Sequence, residues 1–277
     1  MTSPLVRNVS DTARWVASFR AEESARKDAL FRDPFAARLA GERGLELARR
    51  MHQGAWAFTA RTVVYDEMIR RCLDAGADTV VNLAAGMDAR PYRMKLPASL
   101  RWIEVDLPEI VDEKDRVLAD ETPACGLERV RLDLADVTAR RALFARIGAE
   151  SKHAVVVCEG LLIYLAAEQV ATLARDIAAV PAFRSWIVDV CSPGLLRMLQ
   201  KAYAKELERA PGVWAPEEGP AYFAQFGWKV VDVQSMLKSA ARIGRLPFHL
   251  RPFSWLPDPK GPPGGRPWGA SVLLDRA

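Results

Sequence analysis

The sequence predicts an α/β fold built on a parallel sheet that holds a nucleotide-like ligand at its strand ends. Three observations carry that reading. Short apolar runs alternate with helix-patterned segments between Val80 and Val190. The first run, Val80 to Ala84, closes on Ala84-Ala85-Gly86, and small residues are what let a ligand approach a backbone closely. The second run, Trp102 to Asp106, ends in an acid 20 residues past Gly86. A carboxylate at that spacing can accept hydrogen bonds from both ribose hydroxyls of an adenosine.

Composition bounds the rest. The 277 residues are 50% hydrophobic and 27% charged, enough for one large soluble α/β domain with elaborations. The net charge of +4 is mild and no block of five like charges occurs, so no nucleic-acid partner is expected. Cys72, Cys125, Cys158 and Cys191 stand far apart, without a C-x-x-C pair. Three of them lie in apolar surroundings and read as small core residues, and the set fits a reducing compartment. His52, His153 and His249 are isolated, so no metal site is expected. With no signal-peptide pattern and no apolar run of membrane-spanning length, the expected location is cytoplasmic, with no membrane partner. Oligomeric state is left open.

The elements follow in order. Residues 10–30 carry a helical stripe of Trp15, Val16, Phe19, Ala29 and Leu30, with Ser10 or Asp11 as cap. Asp33-Pro34 breaks it, and a second helix covers Phe35 to Ala40. A third runs from Trp56 to Leu73. Strands are expected at 80–84, 102–106, 129–132, 154–158 and 186–190, with helices at 109–118, 138–147 and 167–179 between them. That rhythm demands parallel pairing with right-handed crossovers. A helix over 195–207 covers the substrate end, and strands over 228–233 and 268–274 close the chain. Within one domain, residues 1–75 form a helical cap, 76–192 the cofactor-binding half, and 193–277 the substrate-covering helices and last strands.

The cofactor can be narrowed. The dinucleotide fingerprint is absent, because Ala84 and Ala85 occupy positions that would need glycine, and Asp88 follows. A pyrophosphate at a helix N-terminus would be repelled by that aspartate. An adenosine cofactor without phosphates fits, which means S-adenosylmethionine. The glycine turn alone would suit any strand–turn–helix; the turn together with Asp106 favours a cofactor site.

Assembled in order, the motifs resemble a known family. They are Asp11-Thr12-Ala13, Asp33-Pro34-Phe35, Ala60-Arg61-Thr62, Leu83 to Arg90, Glu104-Val105-Asp106-Leu107-Pro108 and Glu159 to Leu165. From about residue 10 onward the chain looks like the leucine carboxyl methyltransferase family, in its bacterial branch of S-adenosylmethionine-dependent O-methyltransferases. The resemblance implies a class I methyltransferase fold: a seven-stranded, Rossmann-like sheet with its last strand antiparallel. It also implies cofactor contacts. Arg61 would pair with the methionine carboxylate, Gly86 would lie under the methionine, and Asp106 would bind the ribose. Asp133 and Leu134 would hold the adenine, and Glu159 would reach the methionine end near the sulfonium. Without the resemblance, Arg61 reads as a solvated helix residue and Asp133 as a helix cap. Asp88 and Arg90 are expected to orient one another. The lysine that joins the site in eukaryotic members has no counterpart in register; Arg26 and Lys27 only lie nearby.

A carboxylate acceptor is ionised at neutral pH and needs no general base. No histidine lies near a strand end, since His153 precedes the fourth strand at the wrong edge, and no catalytic residue is assigned. Tyr164 follows Glu159 closely and is expected to pack or to hydrogen-bond substrate. The expected activity is therefore methylation of a carboxylate or acidic hydroxyl on a small molecule. A nicotinamide-dependent oxidoreductase, or a non-catalytic protein that kept the fold, are the competing readings.

Overall fold

The computed structural model describes residues 9–205 and 208–277. Its centre is a seven-stranded sheet in the order β3-β2-β1-β4-β5-β7-β6. The strands are β1 Thr79–Leu83, β2 Arg101–Asp106, β3 Gly126–Arg131, β4 Ala154–Cys158, β5 Phe183–Cys191, β6 Trp228–Ser235 and β7 Gly269–Arg276. β1 to β5 pair in parallel, and β7 runs antiparallel between β5 and β6. This is the class I methyltransferase arrangement, last strand included. The strand order reverses between β1 and β4, which places the ligand crevice at their carboxyl ends.

All five residues of β1 and all five of β4 are buried, as continuous apolar runs in a doubly covered sheet must be. Alternation sends their side chains to two cores. Val81, Ile103 and Val156 pack with Leu143, Phe144 and Leu173 on one face. Val80, Trp102, Val155 and Ile187 pack with Val64, Met68 and Ile69 on the other. Trp102, Trp186 and Trp228 are wholly enclosed.

The helices are α1 Val9–Ser24, α2 Ala36–Arg50, α3 Ala55–Asp74, α4 Arg90–Arg93, α5 Pro108–Val117, α6 Val137–Glu150, α7 Ala167–Ala178, α8 Pro193–Ala202, α9 Met236–Arg242 and α10 Arg251–Ser254. Their starts follow local chemistry. Asp136 caps α6 by accepting from Ala139 N at 3.0 Å, and Pro108 and Pro193 open α5 and α8. Ser192 caps α8 by accepting from Leu195 N at 3.0 Å.

Several boundaries differ from the sequence reading. α1 stops at Ser24 rather than near residue 30. The Ser24 hydroxyl donates to the Arg20 carbonyl at 2.7 Å and accepts from Asp33 N at 2.8 Å. Glu23 accepts from Leu30 N at 2.9 Å, so the chain folds back on the helix end. Asp11 does not cap, because the helix is already under way at Val9. Asp11 instead pairs with Arg43 at 3.3 Å; the Ser10 side chain lies outside the described residues. α2 continues to Arg50 through a kink at Gly41, where φ is 57°. α8 begins at Pro193 and ends at Ala202; Leu207, the expected end, lies outside the described residues. The helix α9 was not anticipated.

Candidate active site

The carboxyl ends of β1, β2, β4 and β5 open on a cavity of about 2290 Å³. The backbone shapes its floor. Ala84 has φ 52° and Gly86 φ 49°, two left-handed residues that carry the chain sharply away from β1. Alanine tolerates this at a cost of roughly 1–2 kcal/mol. Above the turn lies α1: a Cβ on Gly86 would meet the Ala13 Cβ at 3.0 Å, so a larger residue would push the helix off its seat.

Asp106 is fixed by two amides. Its Oδ2 accepts from Gly86 N at 2.6 Å and its Oδ1 from Leu107 N at 2.8 Å. Each oxygen keeps a lone pair for a further donor. Burial pushes this carboxyl upward, and the two N–H groups only partly offset that. Asp133 sits exposed at the end of β3, where its Oδ1 accepts from Ala135 N at 2.8 Å. The helix-cap alternative for Asp133 fails, since Asp136 has that place. The Leu134 carbonyl accepts from Arg140 at 2.6 Å, leaving its half-buried side chain on the cavity wall.

The β1–β4 crevice is lined by charge. Glu159 accepts from Arg61 Nε at 3.1 Å and from Arg90 Nη1 at 2.8 Å. Burial works against its ionised form, but Arg90 and Arg61 outweigh it and hold the carboxyl below its ordinary value. Arg90 is almost fully buried. It also holds Asp88 through Nη1 and its backbone N–H, at 2.8 and 2.9 Å, and Asp66 through Nε at 2.7 Å. Asp88 and Arg90 thus orient one another, as expected, and Asn82 Nδ2 completes the Asp88 shell at 2.9 Å. Arg61 is not solvated: only 13% of its side chain is exposed, and it faces both Glu159 and Asp189. Its fork already has partners, which the sequence did not suggest.

The amino-acid pattern and the geometry agree with comparison to known proteins. The sequence model of the leucine carboxyl methyltransferase family matches residues 13–178. The chain belongs to that family. A Streptomyces coelicolor relative named "putative S-adenosyl-L-methionine-dependent methyltransferase" is 32% identical over 273 residues, covering 92% of each chain. A Streptomyces avermitilis relative with the same description is 31% identical over 274 residues, again covering 92% of each. Two solved structures share the fold at 16% identity and TM-score 0.58. One is a DUF574 family protein from Streptomyces avermitilis, covering 96% of this chain and 97% of that one. The other is described as a putative methyltransferase from Thermobifida fusca, with coverage of 95% and 94%. Family membership makes the chain an S-adenosylmethionine-dependent methyltransferase.

In this methyltransferase the cavity is also walled by groups outside the expected cofactor contacts. Asp189, on β5, takes Gly160 N on its Oδ1 at 2.6 Å, and the Tyr65 hydroxyl lies 3.1 Å from the same oxygen. The one available signal was an acid inside the apolar run of β5. Trp15 and Phe19 of α1 pack on Phe58 of α3, with centroids 5.0 and 5.2 Å apart. Tyr164 joins that cluster, and burial pushes its phenol upward despite a hydrogen bond with Thr12. His52 and His249 also line the cavity, although neither lies near a strand in sequence. His153 is at the opposite edge, where its carbonyl accepts from Asp78 N at 2.9 Å. Among the described residues, no three His, Cys, Asp or Glu side chains group as a metal site, and no helix is long and apolar enough to cross a membrane.

Proposed function

We propose that this enzyme methylates a carboxylate, or an acidic hydroxyl, on a largely apolar small molecule. The observation that carries the proposal is that Arg61, Gly86, Asp106, Asp133, Leu134, Glu159 and Tyr164 all line one cavity. A volume of about 2290 Å³ exceeds the ~300–1,000 Å³ usual for a single ligand, so a cofactor leaves room for an acceptor.

The residues fit S-adenosylmethionine. Asp106 is aimed by the Gly86 and Leu107 amides and would take the ribose hydroxyls. Asp133 and Leu134 would hold the adenine. The bare Gly86 turn would carry the methionine, whose carboxylate would meet the Arg61 fork, while Glu159 would face the sulfonium end. The cofactor supplies an electrophilic methyl group; the protein orients the acceptor oxygen in line and keeps water out. Trp15, Phe19, Phe58 and Tyr203 pack together on the cavity wall, which suits an apolar acceptor body. A carboxylate acceptor would need no base. A hydroxyl acceptor would, and His52, on the cavity wall and 3.8 Å from Glu22, is the group that favours this second reading. The four separate free cysteines support a reducing, cytoplasmic setting.

Transfer of labelled methyl from S-adenosylmethionine to a panel of apolar carboxylic acids and phenols tests the proposal. Base-labile product from the acids is expected. Alkali-stable product from phenols alone would replace the carboxylate reading with the hydroxyl one, and no transfer to either class would contradict both.

A further inference from the structure

The buried ions under the crevice form one chain. Asp66 and Asp88 pair with Arg90, Arg90 with Glu159, and Glu159 with Arg61. Asp189 ends the chain at the cavity, its Oδ2 3.6 Å from Arg61 Nη1. Both residues at that end keep open positions. Arg61 commits Nε to Glu159 at 3.1 Å, and its Nη1 and Nη2 donate a hydrogen bond to none of the described residues. Asp189 takes Gly160 N on its Oδ1 at 2.6 Å, with the Tyr65 hydroxyl 3.1 Å from the same oxygen. Its Oδ2 accepts from none of the described residues, because 3.6 Å to Arg61 is beyond hydrogen-bond reach. Gly160 is what lets the two side chains meet at the cavity. Its φ is 71°, and a Cβ there would come within 3.3 Å of Arg61 Nη1.

Side by side, then, stand a guanidinium edge with free donors and a carboxylate with a free oxygen. Their side chains are only 13% and 20% exposed. A carboxylate seated on Arg61 would also lie next to Asp189, and two anions in a poorly solvated place repel. An α-amino acid head avoids that conflict, because its ammonium and its carboxylate share one carbon. The head that satisfies the Arg61 fork therefore brings a cation within reach of the Asp189 oxygen that lacks a donor. Glu159, the other acid beside Arg61, is less available: each of its oxygens already accepts from an arginine, at 3.1 and 2.8 Å.

We infer that Asp189 is the ligand for the α-ammonium of the cofactor's methionine, so that Arg61 and Asp189 together clamp its zwitterionic head at two points. The inference rests on the cofactor placement proposed above and adds a residue to it. The ammonium is common to S-adenosylmethionine and S-adenosylhomocysteine, so the clamp holds donor and product alike. Its task is positional: two fixed points set the direction in which the methionine chain leaves Arg61, and with it the place of the sulfur. It also selects adenosine thioethers that carry an intact amino-acid head over those that lack one.

Asp189→Asn is the informative change, because the amide oxygen can keep the Gly160 anchor while an NH2 group replaces the free oxygen. Calorimetric titration compares S-adenosylhomocysteine with its deaminated analogue, in which hydrogen replaces the α-ammonium. The unaltered enzyme is expected to bind the complete ligand at least about tenfold tighter, the size of a hydrogen bond between charged groups. In the variant the complete ligand should lose about tenfold in affinity. The deaminated analogue should hold or gain, since its carboxylate no longer faces an unmatched acid. Equal losses for both ligands would make Asp189 only an anchor for Gly160 and would overturn the inference. Equal affinity of the two ligands for the unaltered enzyme would overturn it without recourse to any variant. Failure of the unaltered enzyme to bind either would overturn the cofactor placement as well, which separates that failure from this one.

Discussion

At the scale of single residues, the proposed cofactor ligands are themselves fixed by the fold. Asp106 is the plainest case. The family resemblance reads it as a ribose ligand. Its carboxylate also accepts from the Gly86 and Leu107 amides. Asp106→Ala should therefore weaken binding of S-adenosylhomocysteine by roughly 1.5–3 kcal/mol and also lower the stability of the ligand-free protein by roughly 1–3 kcal/mol. Calorimetry and urea unfolding of the same sample measure both; a variant that binds normally would show that Asp106 is only structural. The buried ion chain yields a second expectation. Burial opposes the ionised forms of Asp66, Asp88 and Glu159, yet their arginines lower all three carboxyls. Folded-state values below the unfolded ones mean a contribution fully present above about pH 4 and lost only as pH falls through the lower folded values. Asp106, raised chiefly by burial, has the opposite sign and contributes less as pH rises. With three groups against one, the urea midpoint should hold from pH 7 to about 5 and drop only below about pH 4. A steep loss between pH 6 and 5 would contradict this.

At the scale of elements, the helical cap carries the open question. α1 is not packed against the outside of the sheet. Ala13, Trp15, Phe19 and Arg20 line the cavity, Arg14 pairs with Glu113 on α5, and Arg20 donates to the Met87 carbonyl in the loop after β1. The sequence shows the aromatic stripe of α1 but not what it covers, because that depends on a contact between residues 13 and 86. A helix seated directly on the ligand turn should tighten when the ligand arrives. Hydrogen exchange with and without S-adenosylhomocysteine is expected to slow in residues 9–24 as well as around Gly86 and Asp106. Protection confined to the strand ends, over a helix already slow, would make α1 a fixed wall.

At the scale of the whole molecule, most of the sheet was legible. β4 matches its expected span, and the other strands are placed to within about three residues, because each is an apolar run bounded by turn residues. Their lateral order comes from the family resemblance and not from any local pattern, since periodicity carries no information about neighbours. The cavity-lining acids Asp106, Asp133 and Glu159 are readable as polar residues at strand ends. Arg61 was readable only through the motif around it, and its pairing with Glu159 and Asp189 joins residues 98 and 128 positions away. Asp189, His52 and His249 reach the cavity through tertiary packing alone. By this reading the strand ends take an adenosine cofactor carrying a sulfur, not a dinucleotide. Calorimetric titration of the purified protein with S-adenosylhomocysteine and with NAD tests it most directly. Saturable binding of the first at one site per chain and none of the second is expected; tight NAD binding, or no heat with the sulfur cofactor, would show that the strand ends take a different ligand.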